Sequence, residues 1–137
     1  MTPRANAVIS VDRIDHLVLT CRDVAATIRF YSGVLGMHEV TFGVGRKALA
    51  FGQQKINLHA AASSGADIAA LPAAPTPGSA DLCLIVNEPL DTVIAHLQRC
   101  GVAVHQGLVT RTGALGPIVS VYIRDPDGNL IELSQYS

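Results

Sequence analysis

The chain repeats itself at a fixed spacing, and that repeat limits its fold more than any other feature. His16 and Asp81 stand 65 positions apart, as do Gly36 and Gly101, each of which stops a helical pattern. An offset held constant through a strand pattern and then a helix pattern marks a duplicated unit. The first unit opens on "IDHLVLT" (Ile14–Thr20), which alternates and favours β-branched residues as a half-buried strand does. A helical pattern runs from Asp23 to Leu35, and strand patterns follow at His38–Gly43, Arg46–Gly52 and Lys55–Ala60. The second unit keeps the order: Ala80–Val86, a helix from Leu90 to Cys100, then "VAVHQG" (Val102–Gly107), "VSVYIR" (Val119–Arg124) and "NLIELSQ" (Asn129–Gln135).

The expected fold is α+β, with two tandem βαβββ modules whose curled mixed sheets surround a cleft. Module one covers about 12–60, a linker covers 61–79 and module two covers about 80–136, all within one domain. The offset widens to 75 between Asn57 and Glu132, so the second unit holds ten extra residues. They are expected in a loop, "TRTGALGP" (Thr110–Pro117), that covers a site. The linker is rich in Ala, Ser, Pro and Gly, with a short helix expected around Ala66–Leu71. In "RDPDGN" (Arg124–Asn129), Pro126 and the pair Asp127-Gly128 signal a hairpin that feeds the last strand.

A net charge of −1 with 49% hydrophobic residues gives no electrostatic reason to expect nucleic acid or an anionic membrane. Apolar runs such as Leu82–Val86 are too short to cross a bilayer and the start lacks a secretory segment, so a cytoplasmic protein is expected. Cys21, Cys83 and Cys100 lack C-x-x-C spacing and are expected as buried reduced thiols.

Two residues raise a chemical question. In the last strand Leu130, Glu132 and Ser134 share one face, and a carboxylate among Leu130, Ile131 and Leu133 is costly to bury unless paired or bound to a metal. His16 poses the same problem in the first strand. If the duplicated units pair about a pseudo-two-fold axis, both strands converge on one cleft, and imidazole with carboxylate suits Zn, Ni, Co, Mn or Fe(II). Tyr122 and Arg124 share a strand face and either contact a substrate oxygen or serve packing. Arg111 and Thr112, in the added segment, either bind an anionic substrate or stay in solvent. His38, His96 and His105 are expected to be surface or structural residues.

These segments resemble the vicinal oxygen chelate superfamily, which includes glyoxalase I, extradiol dioxygenases and bleomycin-resistance proteins. The likeness rests on "IDHLVLTCRD", "FYSGVLGM" and "VYIRDPDGNLIEL", and covers nearly the whole chain. More closely, "KINLH", "DLCLI", "RTGALGPI" and "RDPDGNLIELSQY" resemble a glyoxalase-domain-containing, virulence-protein-like subgroup. The resemblance implies a divalent metal held by up to four side chains, which map to His16, Asn57, Asp81 and Glu132. Asp81 stands where the family often has His, and Asn57 where it often has Glu, Gln or His.

His59, two residues past Asn57 and on its face, lies roughly 6.5–7 Å further along the strand. It serves as a substitute ligand or, with Glu132, as an acid or base, while Asn57 contacts substrate. The implied activity is that of a metal-dependent lyase, isomerase or dioxygenase acting on a small oxygen-chelating molecule. A homodimer is implied, in which units are sometimes exchanged so that the cleft spans two chains. The rival is a metal-free protein that sequesters an antibiotic. Such relatives line the cleft with aromatics, against which stand only three Phe, three Tyr and no Trp here.

Overall fold

The computed structural model describes residues 8–61 and 71–137. The elements follow the duplicated order: β1 (His16–Cys21), α1 (Val24–Gly33), β2 (His38–Phe42), β3 (Arg46–Phe51), β4 (Gln54–Ala60), then β5 (Asp81–Ile85), α2 (Leu90–Arg99), β6 (Gln106–Thr112), β7 (Pro117–Arg124) and β8 (Leu130–Tyr136). Each module builds its own four-stranded mixed sheet, in the order β1-β4-β3-β2 and β5-β8-β7-β6. In both, the first strand is the sheet's edge and runs parallel to the last, while the other pairs are antiparallel. The helix expected around Ala66–Leu71 falls almost wholly outside the described residues.

The helices form for local reasons. Asp23 caps α1 by accepting from the Ala26 N–H at 3.1 Å, a cap worth about 1 kcal/mol. In α2, Leu90, Val93, Ile94 and Leu97 recur at helical spacing, so one stripe meets the core. Gly36 (φ 71°) and Gly101 (φ 72°), 65 apart, turn the chain out of each helix through the left-handed region.

One core joins the two modules. Leu19, Cys21, Leu49, Ile56 and Leu58 enter it from the first sheet, Val121, Ile123, Ile131 and Leu133 from the second, and Tyr31, Met37 and Leu97 complete it. Each fully buried large apolar side chain contributes about 1.5–3 kcal/mol. Strand alternation therefore turns the opposite face of each sheet away from that core.

The turn before β8 makes the polar tie between modules. The buried Asp125 carboxylate accepts from the Asp127 and Asn129 N–H groups at 2.9 Å, the Asn129 Nδ2 at 2.8 Å and the Tyr31 hydroxyl at 2.7 Å. Burial, then the Asp125 charge, pushes the Tyr31 phenol far above its ordinary range. Arg22 reaches Asp127 from the first module, and His96 Nε2 meets the Val34 carbonyl at 2.9 Å, so His96 is structural as expected.

Three expectations need correction. Register makes Val40 the counterpart of Gln106, 66 positions on, and Ala48 the counterpart of Tyr122, 74 positions on. Eight of the ten added residues therefore lengthen the β6–β7 hairpin rather than form a long loop, and Thr110–Thr112 belongs to β6. Val102–Gly107 is not a strand over most of its length, because Val102 and Val104 pack on the core before ladder bonding begins. Of the cysteines, only Cys21 is buried; all three are free thiols.

Candidate functional site

Every candidate site residue lies on a sheet face turned away from the shared core, but they form two groups rather than one. The first sheet carries His16, Asn57 and His59; the second carries Asp81, Glu132, Tyr122, Arg124 and Arg111. Among the described residues, no three His, Cys, Asp or Glu side chains gather around a point suited to a metal. A recess of about 360 Å³ between the end of α1 and α2 holds none of these candidates.

On the first sheet His16 sits opposite Lys55, Val18 opposite Asn57 and Thr20 opposite His59. His16 Nδ1 is 2.7 Å from the Asp15 carboxylate, and that hydrogen bond lowers the Asp15 pKa. With Nδ1 so engaged, Nε2 is left to bind elsewhere, the arrangement a carboxylate imposes on a ligating imidazole. Asn57 is buried, and its Oδ1 has no hydrogen-bond partner among the described residues. A buried amide oxygen left unpaired costs about 1–3 kcal/mol, so this atom is short of a partner. His59 shares this face but stands four register positions past His16, roughly 13 Å along the sheet. The two imidazoles are not placed to share one ion.

On the second sheet Glu132 lies between Cys83 on β5 and Tyr122 on β7. Ser120 Oγ donates to Glu132 Oε2 at 2.6 Å, lies 2.6 Å from Ser134 Oγ, and Cys83 Sγ follows 3.3 Å from Ser134 Oγ. A hydroxyl has one proton. With Ser120 donating to Glu132, Ser134 donates to Ser120 and the Cys83 thiol to Ser134. Partial desolvation of its sulfur pushes the Cys83 thiol up, in keeping with its place as a donor. This chain holds one carboxylate oxygen and leaves the other for a ligand.

Asp81 is exposed at the start of β5. Arg111 and Tyr122 are joined, the guanidinium donating to the phenol oxygen at 3.1 Å and lying over its ring at 5.6 Å. Arg124 instead donates to the Gly128 carbonyl at 3.2 Å, bracing its own turn.

Sequence reasoning missed Asp15, Ser120 and Ser134. Ser134 was readable, since it shares the Glu132 strand face two residues on; Ser120 depended on the β7–β8 register.

The donor set fits a divalent ion: an imidazole backed by a carboxylate, an unpaired amide oxygen, and two carboxylates of which one is buttressed. It is divided between two outward faces of one chain.

Residues 13–133 match the Glyoxalase/Bleomycin resistance protein/Dioxygenase superfamily, and the chain belongs to that family. It is 55% identical over 126 residues to virulence protein STM3117 of Salmonella typhimurium strain LT2, covering 92% of this chain and 85% of that protein. It is 52% identical over 128 residues to glyoxalase domain-containing protein RDO1 of Mycosarcoma maydis, covering 93% and 70%. The crystal structure of STM3117 superposes with a TM-score of 0.89 at 53% identity, covering 94% of this chain and 100% of that one.

More distant structures divide by activity. A lactoylglutathione lyase from Agrobacterium tumefaciens has a TM-score of 0.70 at 26% identity, covering 91% and 94%. TnmS3, an antibiotic-binding protein from Streptomyces sp. CB03234, has 0.71 at 25%, covering 94% and 99%. Both an enzyme and a binding protein thus share this fold.

Proposed function

We propose that the protein is a divalent-metal-dependent enzyme acting on a small organic molecule that chelates the ion through adjacent oxygens, with each site shared by two copies of the chain. One copy supplies His16 and Asn57 and the other supplies Asp81 and Glu132, brought together where β1 of one chain lies beside β5 of the other. The observation that carries this reading is the division of the donor set: its two halves flank the edge strands on faces turned away from the core. Val18 and Ile85, on those same faces of β1 and β5, are 37% and 54% exposed, and covering them favours such an assembly.

The metal would act as a Lewis acid that stabilises an oxyanion on the substrate. His16 would bind through Nε2 while Asp15 fixes its ring, and Glu132 through the oxygen that Ser120 leaves open. His59, further along the first face, would move a proton as acid or base at the substrate. Tyr122, oriented by Arg111, would meet a substrate oxygen from the second face. Metal analysis tests the reading: purified protein takes up a divalent ion, and His16→Ala and Glu132→Ala each abolish uptake. Unchanged uptake in both variants sinks it.

A metal-free antibiotic-binding role is the second reading, favoured by the likeness to TnmS3. A buttressed Glu132 and an Asp15-backed His16 have the donor chemistry of an ion site, which favours the first reading. Tight drug binding by chelator-treated protein would reverse the ranking.

A further inference from the structure

The outward face of the first sheet holds a charge cluster that the metal does not use. Lys55 Nζ lies 4.0 Å from the centroid of the Phe42 ring and the Arg46 guanidinium 4.8 Å from it. Register and alternation place both cations on the face of Asn57: Arg46 is opposite Phe42 and two residues from Ala48, which is opposite Asn57, while Lys55 is two residues from Asn57. Among the described residues neither cation has a carboxylate partner. Asp15 is hydrogen-bonded to His16 and feels the Lys55 charge only as a smaller effect, and Glu39 pairs with Lys47 on the opposite face. The strand positions of this face carry His16, His38, Arg46, Lys55 and His59 and no Asp or Glu.

Two like charges drawn to one ring, with no carboxylate at ion-pair distance from either among the described residues, repel each other, and the ring's weak attraction does not neutralise them. An anion bound by both does. The Arg guanidinium offers a planar fork that matches a carboxylate, and Lys adds a point charge. We infer that Lys55 and Arg46, seated on Phe42, form a clamp for a carboxylate of the substrate, which is therefore a small organic acid.

This inference rests on the proposed metal site for its meaning. The Phe42–Arg46 register lies two positions beyond Asn57, roughly 7 Å along the sheet. The chelating oxygens and the clamped carboxylate thus occupy opposite ends of one small molecule, with His59 beside the clamped end.

The test uses the full-length, chelator-treated protein with succinate as probe, followed by NMR shifts of the Phe42, Arg46 and Lys55 amides. Succinate is expected to bind saturably, and neutral succinamide not to bind. Lys55→Met and Arg46→Met each weaken binding about tenfold, the loss expected for one charge-assisted hydrogen bond, while Lys47→Met on the opposite face leaves it unchanged. Equal binding of succinamide, wild-type affinity in both clamp variants, or tighter binding of inorganic phosphate than of succinate overturns the carboxylate assignment. Metal uptake, measured on the same samples, separates the two ideas. Intact uptake without succinate binding ends the clamp alone, whereas succinate binding without uptake ends the metal reading alone.

Discussion

Asn57 and Glu132 occupy the same position in the two modules, each on the parallel strand opposite the third residue of its edge strand, yet their surroundings have diverged. Glu132 is gripped by a hydrogen-bonded chain through Ser120 and Ser134 to Cys83. Among the described residues the Asn57 amide oxygen has no partner; Val18 and Ala48 flank it, and the cations Lys55 and Arg46 stand one step further along that face. One module has specialised in an anchored carboxylate and the other in positive charge. Duplication supplies two equivalent frames, and polar contacts off the repeat decide what each frame holds.

The sharpest contrast is in the turn between the last two strands. The first module turns at Gly52 and Gln53, whereas the second uses Asp125–Asn129 to bind the first module. Asp125→Ala leaves four buried donors unpaired and is expected to cost about 3–5 kcal/mol in a denaturant titration, while Gln53→Ala stays within about 0.5 kcal/mol. Equal effects would erase the distinction between the turns. Gly78, whose added Cβ would lie 2.5 Å from the Asp127 carbonyl, shows how closely the linker's end fits this turn.

Tyr31→Phe probes the same tie from the first module and is expected to cost about 1.5–3 kcal/mol, as for a hydrogen bond to a charged group. It also changes the pH response. The folded phenol titrates above its unfolded value of about 10, so its contribution is complete below pH 10 and declines as pH rises beyond it, by up to ~1.4 kcal/mol per unit. Urea titrations at rising alkaline pH should show this loss in the wild type and less of it in Tyr31→Phe. Parallel slopes would contradict the role given to burial and Asp125.

Next in size, Ser120→Ala removes the donor that fixes one Glu132 oxygen and should weaken metal binding by about 10–100-fold with little change in fold. Asn57→Asp makes the first half-site resemble the second. Metal affinity is expected to rise about tenfold, while metal-free protein loses stability because a carboxylate replaces a buried neutral group. Tighter binding without that loss would mean that Asn57 is less enclosed than its burial indicates.

Most of the fold was legible because each cue was local: alternation for β1, β4 and β8, and a glycine stopping each helix. The misplacement of β6 has a physical cause, since Val102 and Val104 alternate like a strand but bury against the core without a ladder. Cys83 stands in an apolar run, yet alternation alone turns it outward between Leu82 and Leu84. The site was half legible. His16 and Glu132 stand out as polar groups in apolar strands, but the Ser120 chain and the Lys55–Phe42–Arg46 cluster arise from register between strands. Nor does residue order reveal that two halves of a donor set face away from each other.

Sharing of the site between copies is tested most directly by mixing. His16→Ala and Glu132→Ala chains, unfolded together and refolded, are expected to recover metal binding that neither has alone. Each mixed dimer keeps one site with an intact His16 from one chain and an intact Glu132 from the other. Recovery approaching one ion per mixed dimer is the expected result, and no recovery in a sample shown to contain mixed dimers would contradict a shared site.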